Sequence, residues 1–149
     1  MAGFVPSDTI IQKETFHTIE HEFAHIFDQT KARPFEFDQV CQGFYSADWI
    51  NSSDEQAYSE GFISPYASSQ PGEDIAEMIA FMMVEGKAGF DKIVNSIKGI
   101  SSRGTTAATA KSRLKEKESI LVNYFLTAWG IDLYSLQART RAAIEKEFF

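Results

Sequence analysis

Two histidines spaced four residues apart, with a glutamate between them, are the residues best suited to chemistry in this chain. The run His21-Glu22-Phe23-Ala24-His25 reads H-E-x-x-H. On an α-helix, positions i and i+4 lie on one face about one turn apart. Both imidazoles can therefore bind one zinc ion while the intervening glutamate reaches a water on the metal. The motif predicts His21 and His25 as zinc ligands and Glu22 as the general base.

The helix that must position these residues is amphipathic. A start signal at Pro6-Ser7-Asp8 and an exit near Pro34 predict a helix over residues 8–30. Its apolar side chains fall within a stripe roughly 100° wide, with the two histidines and Glu22 on the opposite side. We expect the stripe to pack on a core and the histidine face to open on a cleft. The stripe consists of Phe16, Ile19, Phe23, Ile26 and Phe27.

Two histidines leave zinc without its third protein ligand. The chain has only one other histidine, His17, which lies one turn before His21. Imidazoles on three successive turns span about 12 Å, which is too far for bonds of about 2 Å to a single zinc. We therefore read His17 as a surface or supporting residue. A longer motif with a glycine and a third histidine is excluded because Asp28 and Lys31 occupy those positions.

A downstream pair of carboxylates is the better source of the third ligand. Pro71 and Gly72 open a predicted helix over residues 73–85, with acidic residues in its first turn. Glu73 and Glu77 are one turn apart on one face. One of them can bind zinc while the other accepts the outer N–H of a ligating histidine. The spacing alone leaves open the alternative of a solvated acidic turn that the helix dipole stabilises.

The remaining sequence predicts one mainly α domain, residues 1–149, with about five helices and little or no sheet. Residues 90–97, 107–129 and a segment capped by Asp132 have helical periodicity. Residues 35–72 form a packed, aromatic-rich loop with helical turns near 37–44 and 54–59, and residues 99–106 form a flexible loop. No segment has the alternating pattern of a strand.

Composition excludes several functional classes. The net charge of −7 would repel a phosphate backbone, so nucleic acid is not an expected partner. No apolar run is long enough for a transmembrane segment. Cys41 is the only cysteine, so an intramolecular disulfide is impossible and a buried, apolar role is expected. Thirteen phenylalanines predict an aromatic core. The oligomeric state is not determined by the sequence.

The motifs together resemble those of known zinc peptidases. Residues 21–77 are similar to the gluzincins, the thermolysin-like clan, and H-E-F-A-H-I-F-D is similar to the same stretch of anthrax lethal factor. The chain also resembles the zinc-binding metallopeptidases found as surface lipoproteins in Bacteroidetes. That resemblance is carried by Ser64-Pro65-Tyr66-Ala67, by the E-D-x-A-E run at residues 73–77, and by the tail at residues 129–133.

The resemblance implies specific roles. Glu73 would be the third zinc ligand, Glu77 its partner that supports a histidine, and Tyr66 a catalytic tyrosine. It implies Zn²⁺ as cofactor, a protein or peptide substrate, and an extracytoplasmic or cell-surface parent protein that is compatible with a lipid anchor. Because no N-terminal sheet is evident, the chain would be the C-terminal part of a zincin-like catalytic domain. A rival interpretation remains open: a non-catalytic helical module with a structural zinc or a degenerate site, acting in protein binding.

Overall fold

In the computed structural model, which describes residues 6–148, helices make up nearly all of the regular structure. The two short 3₁₀ helices are Trp49–Asn51 and Tyr66–Ser68. Within these residues the strand-like pairing is limited to one isolated bridge between Ile100 and Thr106. The prediction of a mainly helical domain is confirmed, with six α-helices in place of about five. They are α1 (Pro6–Thr30), α2 (Phe35–Val40), α3 (Asp54–Glu60), α4 (Pro71–Ser96), α5 (Ala107–Trp129) and α6 (Leu133–Phe148).

Helix α4 lies at the centre of the domain. It is apolar around most of its circumference, as expected for a helix that other elements cover on several sides. Helices α1, α5 and α6 all pack against it, and α2 and the 3₁₀ helix Tyr66–Ser68 contact it as well. The expected aromatic core is present, since four phenylalanines are fully buried. They are Phe37, Phe62, Phe90 and Phe125.

A glycine breaks α4 at its midpoint. Gly86 has φ 72° and ψ 179°, which lies outside the helical region and is readily adopted only by glycine. A Cβ there would also lie 2.7 Å from Arg141 Cδ. The predicted helices over residues 73–85 and 90–97 are therefore the two halves of one kinked helix. The sequence therefore indicated where the helix breaks, but not that the second helical segment continues directly from the first.

The region between α1 and α4 contains the helical turns that were expected. Ser53 and Gln56 form a capping box at the start of α3, and Gly61 ends that helix with φ 90°. The loop at residues 99–106 is also present, and the guanidinium of Arg103 ties it to the carbonyls of Gly43 and Phe44 at 2.9 and 2.8 Å. Its flexibility stays a prediction.

The predicted orientation of α1 was wrong. Ile19, Phe23 and Ile26 are 49%, 54% and 57% exposed, and it is the opposite, histidine-bearing face that packs on α4. The reason is that the carboxylates of α4 offer the imidazoles hydrogen bonds. Phe27 of the same stripe packs on the core, with its ring centroid 5.5 Å from that of Phe125. No helix within residues 6–148 has the length and apolarity to cross a membrane.

Candidate metal centre

Three potential ligand atoms from α1 and α4 converge on one point. His21 Nε2 lies 2.9 Å from Glu73 Oε2, and His25 Nε2 lies 3.1 Å from the same oxygen. The two imidazole nitrogens are 3.0 Å apart. The predicted residues His21, His25 and Glu73 are thus brought together, although 48 residues separate Glu73 from His25.

The outer nitrogen of His21 is held by Glu77. His21 Nδ1 lies 2.7 Å from Glu77 Oε1, and Ser64 Oγ donates to Glu77 Oε2 at 2.7 Å. Burial raises the pKa of Glu77, but hydrogen bonds from His17 and Ser64 outweigh it, so the pKa lies below its ordinary value. Glu77 is therefore an ionised acceptor near neutral pH. It follows that His21 Nδ1 carries the proton and donates it to Glu77.

With the proton on Nδ1, the Nε2 atom of His21 can present a lone pair to the cluster. The lone pair meets Glu73 Oε2 and the Nε2 atom of His25 at hydrogen-bonding distance. A single divalent cation would satisfy all three atoms without charging either ring. In a tetrahedral zinc site with bonds of about 2.0–2.1 Å, ligand atoms are separated by about 3.3 Å. The separations of 2.9–3.1 Å are close to this value, so the donor set fits zinc.

His17 lies beside the cluster rather than in it. Its Nε2 atom lies 3.0 Å from Glu77 Oε1, the same oxygen that accepts the proton of His21. The side chain of His17 is 31% exposed, against 8% for His21. His17 thus contacts the Glu77 carboxylate, and its role as a supporting residue stays a prediction, since His17, His21 and Glu77 also lie close enough together to hold a metal ion.

Glu22 and Tyr66 border the same site. Glu22 is exposed and makes no hydrogen bond within the described part of the chain. Tyr66 stacks on His21 with ring centroids 5.6 Å apart, and Trp49 packs on its other side at 4.9 Å. Burial, followed by the nearby carboxylate of Glu73, raises the pKa of Tyr66, which keeps its phenol protonated at neutral pH. The phenol is thus available as a hydrogen-bond donor next to the cluster.

Sequence reasoning assigned no role to three residues that line or support this region. Ser64 stood in a matched motif, and its hydroxyl proves to bind Glu77. Asp74 and Lys117 form an ion pair at 2.6 Å in which both side chains are fully buried. The burial of Lys117 could have been predicted from the sequence, because Lys117 lies at helical spacing among the apolar residues of one face of α5. That face carries Ala110, Leu114, Lys117, Leu121 and Tyr124.

Comparison with known proteins identifies the family of the chain. A family model described as "Putative zinc-binding metallo-peptidase" matches residues 4–134. The chain belongs to that family. The crystal structure of a "putative zinc-binding metallo-peptidase" from Bacteroides caccae is similar to this chain, with 27% sequence identity and a TM-score of 0.77. No curated protein matches the chain.

The match to the Bacteroides caccae structure is unequal in extent. It covers 97% of this chain and 54% of that one, so the chain spans just over half the length of its relative. The suspected family and the helical fold are both confirmed. The identity of the zinc ligands and of the general base is not tested by either match and stays a prediction.

Proposed function

We propose that this member of the family hydrolyses peptide bonds at a zinc ion held by His21, His25 and Glu73. The observation that carries the proposal is the convergence of His21 Nε2, His25 Nε2 and Glu73 Oε2 within 3.1 Å of one another. Three protein ligands leave one position of a tetrahedral zinc open, which is typical of catalytic rather than structural sites. A zinc ion there would supply a Lewis acid and would lower the pKa of a bound water to about 7.

The residues around the cluster would supply proton transfer, stabilisation of negative charge and orientation of a ligand. The free carboxylate of Glu22 would take a proton from the attacking water and pass it to the leaving amine. The protonated phenol of Tyr66 would donate a hydrogen bond to the oxygen on which negative charge develops. Glu77 would hold the His21 ring in the tautomer and orientation that direct Nε2 toward the cluster.

The decisive experiment separates metal binding from hydrolysis. Glu22→Gln should retain about one zinc per chain, because Glu22 is not among the ligands, and should lower hydrolysis of a denatured protein substrate by about 10²–10⁴-fold. Zinc is measured by atomic absorption on protein prepared without chelator. Glu14→Gln, an exposed change on the same helix, is the matched control and should behave like the unchanged chain.

Two results would overturn the proposal. One is Glu22→Gln cleaving as fast as the unchanged chain. The other is a folded chain that takes up no zinc even when zinc is supplied. A chain that binds zinc but cleaves nothing would instead favour the rival role as a non-catalytic module. Because the chain spans about half of its relative, the assay should include any longer form of the protein.

The setting of the reaction is also part of the proposal. We propose a protein or peptide substrate and an extracytoplasmic or cell-surface location, both on the strength of the family resemblance. The net charge of −7 supports a partner other than nucleic acid. Fractionation of cells that express the full-length protein, followed by immunodetection, would test the location.

A further inference from the structure

A fully buried ion pair adjoins the candidate metal centre, because its carboxylate belongs to Asp74, the residue after Glu73. Lys117 Nζ on α5 is 2.6 Å from Asp74 Oδ2 on α4, and neither side chain has any exposed surface. The ammonium also donates to the carbonyl of Gly61 at 2.8 Å, and the phenol of Tyr45 donates to Asp74 Oδ2 at 2.9 Å. Four separate parts of the chain thus meet at one buried ion pair.

Stability alone does not account for this pair. Removing two charges from water costs several kcal/mol for each ion, and apolar residues of similar volume are often as stabilising or more so. The ammonium of Lys117 lies 4.3 Å from the ring centroid of Phe62, in a largely apolar setting. A polar network in such a setting has strict geometric requirements, since each group left unpaired would be costly. It can therefore fix one arrangement of the helices where apolar packing would allow several.

The network is connected to the metal cluster on two sides. Asp74 directly follows Glu73, so holding Asp74 against α5 fixes the rotation of the first turn of α4, which directs Glu73 toward α1. Gly61 lies three residues before Ser64, whose hydroxyl donates to Glu77 Oε2. Lys117 thus holds both the helix that carries Glu73 and the segment that supports Glu77.

We propose that Asp74, Lys117 and Tyr45 form a positioning network that sets zinc affinity by fixing Glu73 and Glu77 in register with the two histidines. This inference rests on the proposed zinc site. The network touches neither metal nor substrate, so its effect is indirect. Supporting groups of this kind typically change metal affinity by about 10–100-fold when they are removed.

The test replaces the whole network, so that no charge or hydroxyl is left buried and unpaired. The triple variant Tyr45→Phe, Asp74→Leu and Lys117→Met should remain helical by circular dichroism. Its zinc affinity, measured by competition with a chelating dye, should fall about 10–100-fold. A purely structural role would change the thermal midpoint and leave the zinc affinity unchanged.

A matched control network surrounds Arg113, which lies one turn before Lys117 on α5. Arg113 donates to the carbonyl of Glu60 at 2.9 Å, next to the carbonyl that Lys117 uses, and Thr105 donates to Glu60 Oε2 at 2.5 Å. Within residues 6–148, no hydrogen bond or ion pair of these three residues reaches α4. The control triple Glu60→Leu, Thr105→Val and Arg113→Met should bind zinc within about threefold of the unchanged chain.

Each outcome decides between the two proposals. If both triples bind zinc as tightly as the unchanged chain, the positioning role is wrong and the zinc site stands. If the unchanged, folded chain binds no zinc, the zinc site fails and the positioning role fails with it. Should the first triple not fold, Tyr45→Phe alone removes one hydrogen bond to Asp74 and should weaken zinc about fivefold. An unchanged affinity in Tyr45→Phe would then overturn the inference.

Discussion

Glu73 and Asp74 are consecutive carboxylates on the first turn of α4, yet they meet opposite kinds of partner. Asp74 is directed into the core, where the ammonium of Lys117 neutralises it at 2.6 Å. Glu73 is directed toward α1, where it meets the Nε2 atoms of two histidines. Consecutive residues on a helix differ by about 100° in direction, which is enough to place them in different environments.

The comparison shows how a structural charge differs from one that is available for function. Burial raises the pKa of Asp74, and the Lys117 ammonium offsets part of that effect. Asp74 Oδ2 therefore has its counter-charge within the protein, whereas Oδ1 is buried without a hydrogen bond among the described residues. Among residues 6–148, no lysine or arginine pairs with the carboxylate of Glu73, whose ion-pair partners are the imidazoles of His21 and His25. A buried or half-buried carboxylate that faces two imidazole nitrogens is a good candidate for metal binding. Substitutions at Glu73 and at the Asp74–Lys117 pair should therefore affect different properties, zinc binding in the first case and stability in the second.

The largest effect is expected on the Glu73 side. Glu73→Ala removes the ligand that joins α4 to the two histidines, so zinc content should fall from about one to less than about a tenth per chain. Atomic absorption after purification without chelator measures it. Glu85→Gln, a change in the same helix away from the cluster, is the control. Retention of full zinc in Glu73→Ala would show that another group is the third ligand.

The next effect is expected on the Asp74 side and concerns stability instead. Lys117→Met leaves Asp74 buried without its counter-charge, which should cost about 3–5 kcal/mol in the free energy of unfolding. Urea denaturation followed by circular dichroism, with chelator present, measures that energy. Lys115→Met changes an exposed lysine on the same helix and should cost less than about 0.5 kcal/mol. Equal stabilities for the two variants would contradict the buried ion pair.

A smaller effect is expected at Glu77, which touches a ligand but not the metal. Glu77→Gln weakens the acceptor for His21 Nδ1, so zinc should still bind, but about 10–100-fold less tightly. Competition with a chelating dye gives the affinity. The contrast with Glu73→Ala is the informative part. If Glu77→Gln lost zinc completely while Glu73→Ala kept it, the two glutamates would have to exchange roles.

The smallest effect is expected at His17. Its Nε2 atom contributes one of the hydrogen bonds to Glu77, and its side chain is partly exposed, so water can replace it. His17→Ala should lower zinc affinity by about fivefold or less. The same dye competition applies, with Thr18→Ala as the exposed neighbouring control. Complete loss of zinc in His17→Ala would mean that this histidine is itself a ligand.

Much of the fold followed from local sequence patterns. The helix over residues 107–129 has the bounds predicted for it, because Thr106 caps its start and Gly130, with φ 65°, ends it. The break at Gly86 was also marked by its residue type. These features depend on interactions within a few residues, and such interactions can be read directly along the chain.

The sequence by itself determined which residues could bind a metal, since the spacings of His21 and His25, and of Glu73 and Glu77, are properties of single helices. Only the tertiary structure decided that the histidine face of α1, and not its apolar stripe, packs on α4. It also decided that Lys117 neutralises Asp74 while Glu73 meets two imidazoles. The physical reason is that periodicity gives each helix its faces, whereas the choice of partner for a face depends on charges and hydrogen bonds contributed by distant parts of the chain.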